Sequence, residues 1–298
     1  WSLYEKVSNP DVIRDILAHQ AGLKAWVPFY KDLLRDEASG IRIFTSTPEG
    51  NYRVKVASER YMENRYIDSL YQTIEKTPLN KRKDYLYSDL GYYYLLQVIE
   101  KLSGTTLNQY VDEQFYRPLG LGHTAFRPTE RFCLNNIVPS MQDTSFRRTL
   151  LQGDVHDPGA AMLGGVGGHA GLFSSTSDLA VIMQMLLNGG RYGQQQYLEP
   201  ETVREFTRQQ FPLTRNRRGL GFDKPDPGDR LNGPGAPSAS MLSFGHSGYT
   251  GTYAWADPAY GLVYIFLSNR TWPYDGENKL ARMNLRTEIL ETFYKSLR

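Results

Sequence analysis

The end of the chain contains the feature that most restricts its fold, namely two apolar runs separated by a turn. Residues 252–256 and 262–267 are rich in aromatic and branched side chains, and the turn at 257–261 contains proline and glycine. This pattern predicts a β-hairpin. A last helix is predicted from about residue 283 to the end, and the other helices lie in the middle of the chain. Because strands and helices do not alternate, we expect an α+β fold.

Apolar spacing predicts four further helices, and glycine or proline follows each of them. They cover residues 11–17, 89–102, 108–115 and 179–187. Gly22 is the expected stop of the first of these helices. Residues 31–78 are polar, tyrosine-rich and weakly periodic, so helical pieces and loops are expected there.

A glycine-dense stretch covers residues 153–171. A flexible linker is one interpretation of such a composition. However, Met162, Val166 and Phe173 are apolar, and Ser, Lys and Glu are scarce in this stretch. We therefore expect packed backbone in tight turns.

Charge and composition argue against several kinds of partner. Lys and Arg number 34 and Asp and Glu 32, a net charge of +2, so neither nucleic acid nor an anionic membrane is an expected partner. No apolar run approaches the roughly 18–20 residues that span a bilayer. Cys133 is the one cysteine, and it is interpreted as structural.

Three local patterns contain side chains that could perform chemistry. In the first, Tyr87 and Asp89 stand at the start of the predicted helix 89–102, where the helix dipole favours a phenolate. Such a tyrosine can be a general base if a lysine lies beside it. The alternative is an ordinary helix cap by Ser88 or Asp89.

The second pattern is the segment His246-Ser247-Gly248-Tyr249 just before the hairpin. Glycine near a strand permits a ligand to approach the backbone, and a free N–H there could serve an oxyanion hole. The alternative is a turn built from small residues.

The third pattern is His156 and Asp157 with His169. Their spacing fits no helical metal pair, and no further metal-binding motif accompanies them, so no metal is expected. No phosphate-binding glycine motif occurs either, and no cofactor is expected.

Six blocks together resemble the serine β-lactamase and penicillin-binding-protein superfamily, of the class C β-lactamase, D,D-peptidase and esterase type. Residues 14–23 resemble R-D-L-L-T-H-T-S-G-L, 87–92 resemble Y-S-N-x-G-Y, 117–121 are similar to P-L-G-M, 170–180 resemble A-G-G-L-x-S-T-x-x-D-L-A, 219–222 look like a G-L-G-W strand, and 246–248 fit the K-T-G position. The blocks follow the family's order over almost the whole chain.

The resemblance implies a β-lactamase/transpeptidase-like fold, an antiparallel sheet flanked by helices with a mostly helical subdomain. It implies one N-terminally incomplete domain over 1–298, with the helical subdomain at about 24–200 and the C-terminal sheet and helix at about 215–298. The family's first helix and first strands would be absent. The chain is most similar to the serine hydrolase domain fused to family-three β-N-acetylglucosaminidases in Bacteroidetes, so a covalently fused glycosidase is a possible partner.

By the same resemblance, Tyr87 would activate the serine nucleophile, and Asp89 stands where the family has Asn. His246 would orient the substrate carboxylate or the phenol. Ser247, Gly248 and Tyr249 would bind substrate, with Ser247 as a hydrogen-bond donor and the N–H of Tyr249 as an oxyanion donor.

The family's nucleophile lies in S-x-x-K, about fifty residues before the block at 14–23, and this sequence has no S-x-x-K. Residues 73–76 (TIEK) imitate it at the wrong place. We expect a fragment rather than a natural pseudoenzyme, inactive by itself because the Ser/Lys pair is missing.

The leading hypothesis is a serine acyl hydrolase for D-amino-acid peptides of the cell wall or for esters, with β-lactams less favoured. Such a protein would work in the bacterial periplasm or at the cell surface. The alternatives are a non-catalytic module that binds the cell wall and a regulatory partner of an attached glycosidase.

Overall fold

A computed structural model describes residues 10–231 and 233–297 of the chain. Within this part, the helices are Pro10–Leu17 (α1), Tyr30–Ala38 (α2), Arg65–Lys76 (α3), Leu90–Ser103 (α4), Leu107–Val111 (α5), Pro158–Met162 (α6), Thr176–Leu187 (α7), Pro200–Thr207 (α8), Lys279–Arg282 (α9) and Leu285–Ser296 (α10). The strands are Phe44–Thr45 (β1), Tyr52–Ala57 (β2), Arg60–Glu63 (β3), Ala125–Phe126 (β4), Pro139–Asp143 (β5), Thr149–Gln152 (β6), Leu172–Phe173 (β7), Arg191–Tyr192 (β8), Gln195–Gln196 (β9), Phe244–Ser247 (β10), Tyr253–Asp257 (β11) and Leu262–Phe266 (β12).

The predicted hairpin is β11 and β12, and β10 extends it to an antiparallel sheet in the order β10-β11-β12. Side chains along a strand alternate between the two faces of a sheet. In this sheet, a different helix covers each face. Trp255 and Tyr264 pack with Leu290 of α10 on one face. Phe244 and Ala256 pack with Met183 of α7 on the other face. Helices and antiparallel strands occur together, and the α+β prediction is confirmed.

The larger core lies in the first half of the chain, where α1, α2, α3 and α4 surround a second small sheet. This sheet has the order β1-β3-β2, and its strands lie within residues 31–78. The expectation of only helical pieces and loops there was wrong. In β2, Val54 and Val56 are buried while Arg53 and Lys55 point outward, which is the alternation of a half-buried strand.

Three local predictions need correction. The helix predicted over 108–115 is α5, which continues as a π-helical turn over Asp112–Tyr116. The strand expected at 219–222 does not form; Gly221 has φ +76°, and one isolated bridge joins the neighbouring Asp223 to Gly245. Helix α1 ends before Gly22, because His19 takes the left-handed conformation at φ 55°.

The glycine-dense stretch is packed backbone and no linker. A Cβ atom at Gly168 would lie 2.2 Å from the carbonyl oxygen of Tyr92, and one at Gly159 would lie 1.9 Å from the Tyr93 hydroxyl. Only glycine allows so close an approach to α4. This stretch therefore holds α6 and the turn that follows it against the start of α4.

Candidate functional site

Tyr87 lies just before α4, and its neighbours fix the backbone there. The buried Ser88 hydroxyl donates to the carbonyl oxygen of Lys24 (2.6 Å) and accepts from the N–H of Leu90 (3.2 Å). Asp89 makes no side-chain cap bond, so the capping alternative applies to Ser88 alone. The Asp89 carboxylate stays available at the site.

His246 faces Tyr87 from β10, and the two ring centroids are 6.0 Å apart. The side chain of His246 projects to the same face of the sheet as Phe244, because residues two apart on a strand share a face. Tyr87 and His246 are 159 positions apart in sequence, so the structure brings together two of the predicted catalytic residues in one cleft.

His19 completes this part of the cleft. The ring of His19 lies 4.3 Å from that of Tyr87 and 5.4 Å from that of Tyr92. Its position follows from the end of α1, where the N–H of Gln20 donates to the carbonyl of Asp15 and the N–H of His19 to that of Ile16. This is a Schellman motif in which a histidine replaces the usual glycine.

A buried arginine joins the two histidines. Nη2 of Arg218 lies 3.2 Å from Nε2 of His19 and 2.9 Å from Nε2 of His246. Arg218 is 1% exposed, and its guanidinium carbon is 5.7 Å from the centroid of the Tyr87 ring. Asp223 balances its charge, with Oδ2 3.4 Å from Nη1.

These surroundings determine the protonation of the cleft. Burial, followed by Arg218 and His246, lowers the pKa of His19 to about 3. Burial and then Arg218 also lower the pKa of His246. Both imidazoles are therefore neutral at pH 7.

The tyrosine behaves differently from the expectation. Burial raises the pKa of the Tyr87 phenol and is the largest effect. The nearby Asp89 raises this pKa further, and Arg218 lowers it. The prediction that the helix start would favour the phenolate was wrong for this arrangement of charges. Desolvation and Asp89 together raise the pKa of the phenol here, so the phenol needs a further cation to become a base.

A third histidine, His169, lies near Asp89. Asp157 caps α6 by accepting from the N–H of Ala160 (2.7 Å), and its Oδ1 is 2.9 Å from Nε2 of His169. His169 stacks on Tyr93 of α4, with ring centroids 4.3 Å apart. Burial alone would raise the pKa of Asp157, but these hydrogen bonds outweigh it and lower the pKa.

Burial raises the pKa of Asp89. The charge of His169 acts against this shift, and that of Asp157 adds to it. The carboxylate of Asp89 is thus close enough to Tyr87 and to His169 to interact with both, at the position where the family pattern has a neutral amide.

With its ring 5.4 Å from that of His156, Tyr249 is held by a charged cluster. Its hydroxyl donates to Asp275 (2.6 Å), and Arg270 lies over its ring at 4.3 Å while donating to its carbonyl oxygen (2.7 Å). The N–H of Gly248 donates to the carbonyl of Thr252. Within residues 10–231 and 233–297, the N–H of Tyr249 has no acceptor, which is what an oxyanion donor requires.

Ser247 does not join this group. Consecutive residues of a strand project to opposite faces, and Ser247 lines a cavity of about 320 Å³ on the α10 side, together with Arg286 and Tyr253. Its predicted contact with substrate stays a prediction. Among the described residues, no three His, Cys, Asp or Glu side chains are grouped as a metal would need, and no helix is long and apolar enough to cross a bilayer.

Sequence reasoning did not find His19 or Arg218 as parts of the site. His19 stands inside the block at 14–23, so a signal existed, although it did not reveal the contact with Tyr87. Arg218 precedes the block at 219–222 and resembles any surface arginine in sequence. Only tertiary structure shows that it is buried between two imidazoles.

Comparison with known proteins is consistent with this geometry. The family model described as "Beta-lactamase" matches residues 12–286. A protein of Escherichia coli K12 named "Putative D-alanyl-D-alanine carboxypeptidase" is 36% identical over 219 residues, 67% of this chain and 48% of that protein. One of the same name from Salmonella gallinarum is 33% identical over 277 residues, 82% of this chain and 61% of that protein. The chain thus spans about half to three-fifths of the length of these curated relatives.

A solved structure shows the same fold. The crystal structure described as a "putative beta-lactamase" from Bacteroides dorei superposes with a TM-score of 0.58 at 15% identity, and the match covers 98% of this chain and 75% of that one. The predicted β-lactamase/transpeptidase-like fold is therefore confirmed. The chain belongs to the β-lactamase and penicillin-binding-protein superfamily of serine hydrolases.

Proposed function

We propose that this chain provides the tyrosine, histidine and oxyanion side of a serine acyl hydrolase that acts on peptides ending in D-amino acids. The observation that carries the proposal is the opposition of Tyr87 and His246 across one cleft, together with the N–H of Tyr249, which has no acceptor within the described residues. In this proposal, the Ser/Lys pair lies in sequence outside residues 1–298.

The proposed reaction is acyl transfer in two steps. The serine oxygen attacks the carbonyl carbon while its proton passes to Tyr87, and the leaving amine then receives that proton as the C–N bond breaks. Water attacks the ester in the second step, and the serine oxygen leaves with a proton returned to it. The N–H of Tyr249 stabilises the oxyanion in both steps.

Tyr87 can accept a proton only when its pKa is lowered from the raised value it has in this cleft. Arg218 contributes in that direction, and the lysine of the proposed pair would contribute more, since a cation within about 4–6 Å favours the charged form of a neighbour. The proposal therefore makes the 298-residue chain inactive by itself.

The substrate class follows from two considerations. The curated relatives carry a name that refers to D-alanyl-D-alanine peptides. Asp89 replaces a neutral amide with a carboxylate, which cannot donate a hydrogen bond to an acylamino carbonyl when ionised. The name of the relatives therefore favours peptides that end in D-alanine, and the carboxylate favours substrates without an acylamino group, such as simple esters, over β-lactams. We further propose a location in the periplasm or at the cell surface, where such peptides occur.

The test is acylation of the protein expressed from its complete reading frame. A fluorescent penicillin and a p-nitrophenyl ester report the acyl-enzyme, and release of D-alanine from a peptide ending in D-Ala-D-Ala reports the substrate. We expect acylation by at least one of the two probes, and D-alanine release with no reaction of the L-Ala-L-Ala control. Absence of any acylation would overturn the acyl-enzyme proposal, and equal cleavage of both peptides would overturn the substrate class.

A further inference from the structure

We propose that Arg218 is a positioning residue, which holds His19 and His246 in one tautomer and places the cleft's positive charge behind His246. The argument rests on which atoms can donate a hydrogen bond. A guanidinium has only donors, and one Nη2 atom with two hydrogens lies within hydrogen-bond distance of both Nε2 atoms, at 3.2 and 2.9 Å. Both Nε2 atoms must therefore be acceptors.

The other ring nitrogen of His246 agrees with this assignment. Nδ1 lies 2.8 Å from the carbonyl oxygen of Ser247, and since a carbonyl can only accept, Nδ1 must carry the proton. A neutral imidazole has one donor and one acceptor nitrogen. His246 is thus a neutral imidazole with Nδ1–H and an Nε2 lone pair directed at Arg218.

At His19 the arginine settles an ambiguity. Nδ1 lies 3.1 Å from both the N–H and the carbonyl oxygen of Ser88, so it could accept from one or donate to the other. Because Nε2 must accept from Arg218, the proton is on Nδ1, which donates to the carbonyl. One cation thereby fixes two imidazoles that come from α1 and β10.

Charged and titratable groups face Arg218 from every element that packs around it. They are His19 after α1, Tyr87 before α4, Tyr92 on α4, His246 on β10, and Arg217 and Asp223 in its own loop. Asp223 is the carboxylate among them, and it also accepts from Nε of Arg217 (2.8 Å). Two arginines thus share one carboxylate, which leaves positive charge on the arginine side of Tyr87, whereas Asp89 brings negative charge to the same phenol.

The catalytic consequence rests on the proposed function. At the position that fits K-T-G, His246 brings a neutral ring, so the positive charge of this site comes from Arg218. That charge favours the phenolate of Tyr87 and keeps His246 from becoming an imidazolium. His246 then lies beside Tyr87 as a neutral ring and not as a cation, with Nε2 bonded to Arg218 and Nδ1 to the carbonyl oxygen of Ser247.

The test reads the histidine tautomers directly by long-range ¹H–¹⁵N NMR of the histidine-labelled protein. In the unsubstituted protein at pH 7, we expect His19 and His246 to be protonated on Nδ1, His19 not to titrate between pH 8 and 5, and His246 to titrate below the ordinary pKa of a histidine. In Arg218→Met, we expect His19, whose Nδ1 can also accept from Ser88, to lose its single tautomer, and the pKa of His246 to rise from its lowered value. Arg215→Met is the matched control, since Arg215 is exposed three positions earlier.

Finding Nε2 of His246 protonated in the unsubstituted protein would overturn the proposal without any variant, even if Arg218→Met does not fold. An unchanged His246 signal in a folded Arg218→Met would also overturn it. Arg218→Lys keeps the charge and should keep the low pKa of both histidines. These signals do not depend on turnover, so they are unaffected if no acyl-enzyme forms.

If acylation occurs, kcat/KM against pH gives a second readout. The limb that reports Tyr87 should move to higher pH by roughly one unit in Arg218→Met, and it should stay in place in Arg218→Lys and Arg215→Met. A uniform loss of rate at every pH would indicate a purely structural arginine and contradict the proposal.

Discussion

Two histidine clusters near Asp89 show that histidines can be held by groups of opposite charge. In the first cluster, His19 and His246 share the cation Arg218. In the second, His169 pairs with the carboxylate of Asp157. An arginine requires imidazole lone pairs, whereas a carboxylate requires an imidazole N–H, so the two clusters use opposite hydrogen-bonding roles of the same ring.

The difference indicates which cluster is suited to acid–base chemistry and which is suited to stabilising the fold. The arginine cluster keeps its imidazoles neutral and places positive charge beside the phenol of Tyr87. The carboxylate cluster caps α6 and stacks against α4, so it fixes the glycine-rich turn. We therefore expect substitutions in the first cluster to change turnover and pH dependence, and those in the second to change stability.

The largest expected effect is that of Tyr87→Phe in the whole protein. Loss of the hydroxyl removes the proton acceptor and should lower turnover by about 100-fold or more, with little change in stability, because the ring can keep its contacts with His19 and His246. Ester hydrolysis and thermal unfolding measure the two quantities. Unchanged turnover would place the general base elsewhere.

The next effect concerns acid stability of the first cluster. His19 has a folded pKa of about 3 against about 6.5 when unfolded, so its unfolded form binds a proton first. The folding stability that neutral His19 contributes is complete above pH 6.5. This stability declines as the pH falls toward 3, by up to about 3 kcal/mol at pH 4.

His19→Asn, which tolerates the left-handed conformation, should therefore flatten the decline in unfolding free energy between pH 6.5 and 4. Urea titrations across this range test it. A variant whose unfolding free energy depends on pH as steeply as that of the unsubstituted protein would show that the first cluster does not contain a suppressed histidine.

In the second cluster, Asp157→Ala removes the cap of α6 and leaves the buried His169 without its acceptor, which should cost about 2 kcal/mol of stability at pH 7. Asp157→Asn is the matched control, since it keeps an acceptor oxygen. The lowered pKa of Asp157 makes its ionic contribution complete above about pH 4 and lost as the pH falls through the folded pKa. Equal unfolding midpoints for Ala and Asn at pH 7 would refute this role.

The smallest effect is expected outside both clusters. Tyr249→Phe removes the hydrogen bond to Asp275, but 63% of Tyr249 is exposed and Arg270 still holds its carbonyl oxygen. We expect less than about 1 kcal/mol of destabilisation and nearly unchanged acylation, because the backbone N–H is retained. A large loss of acylation would show that the phenol itself binds substrate.

The sequence predicts much of the frame, because its signals are local. The hairpin of β11 and β12 and the helices α1, α4 and α7 follow from spacing, and the predicted glycine stops apply to α4 and α7. The β1–β3 sheet escaped prediction because its strands are short and its β2–β3 turn uses Glu59 at φ 51°, where hairpin turns usually have glycine or asparagine.

The site divides in the same way. Tyr87 and His246 stand in motifs and could be found, whereas Arg218 and the Asp157–His169 pair depend on contacts between distant segments. Ser247 shows the other limit of motif reasoning. The motif places it next to His246 in sequence, but the strand directs its side chain to the face of α10. Burial is likewise a tertiary property, and it is the largest cause of the raised pKa of the Tyr87 phenol.

The central claim is that the phenol of Tyr87 and the imidazole of His246 serve one acyl-enzyme serine. A crystal structure of the whole protein after reaction with a penicillin or a serine-reactive phosphonate tests it most directly. We predict a modified serine whose oxygen lies within about 3 Å of the Tyr87 hydroxyl, with the adduct oxygen facing the N–H of Tyr249. An adduct on a serine remote from the Tyr87–His246 cleft would contradict the account.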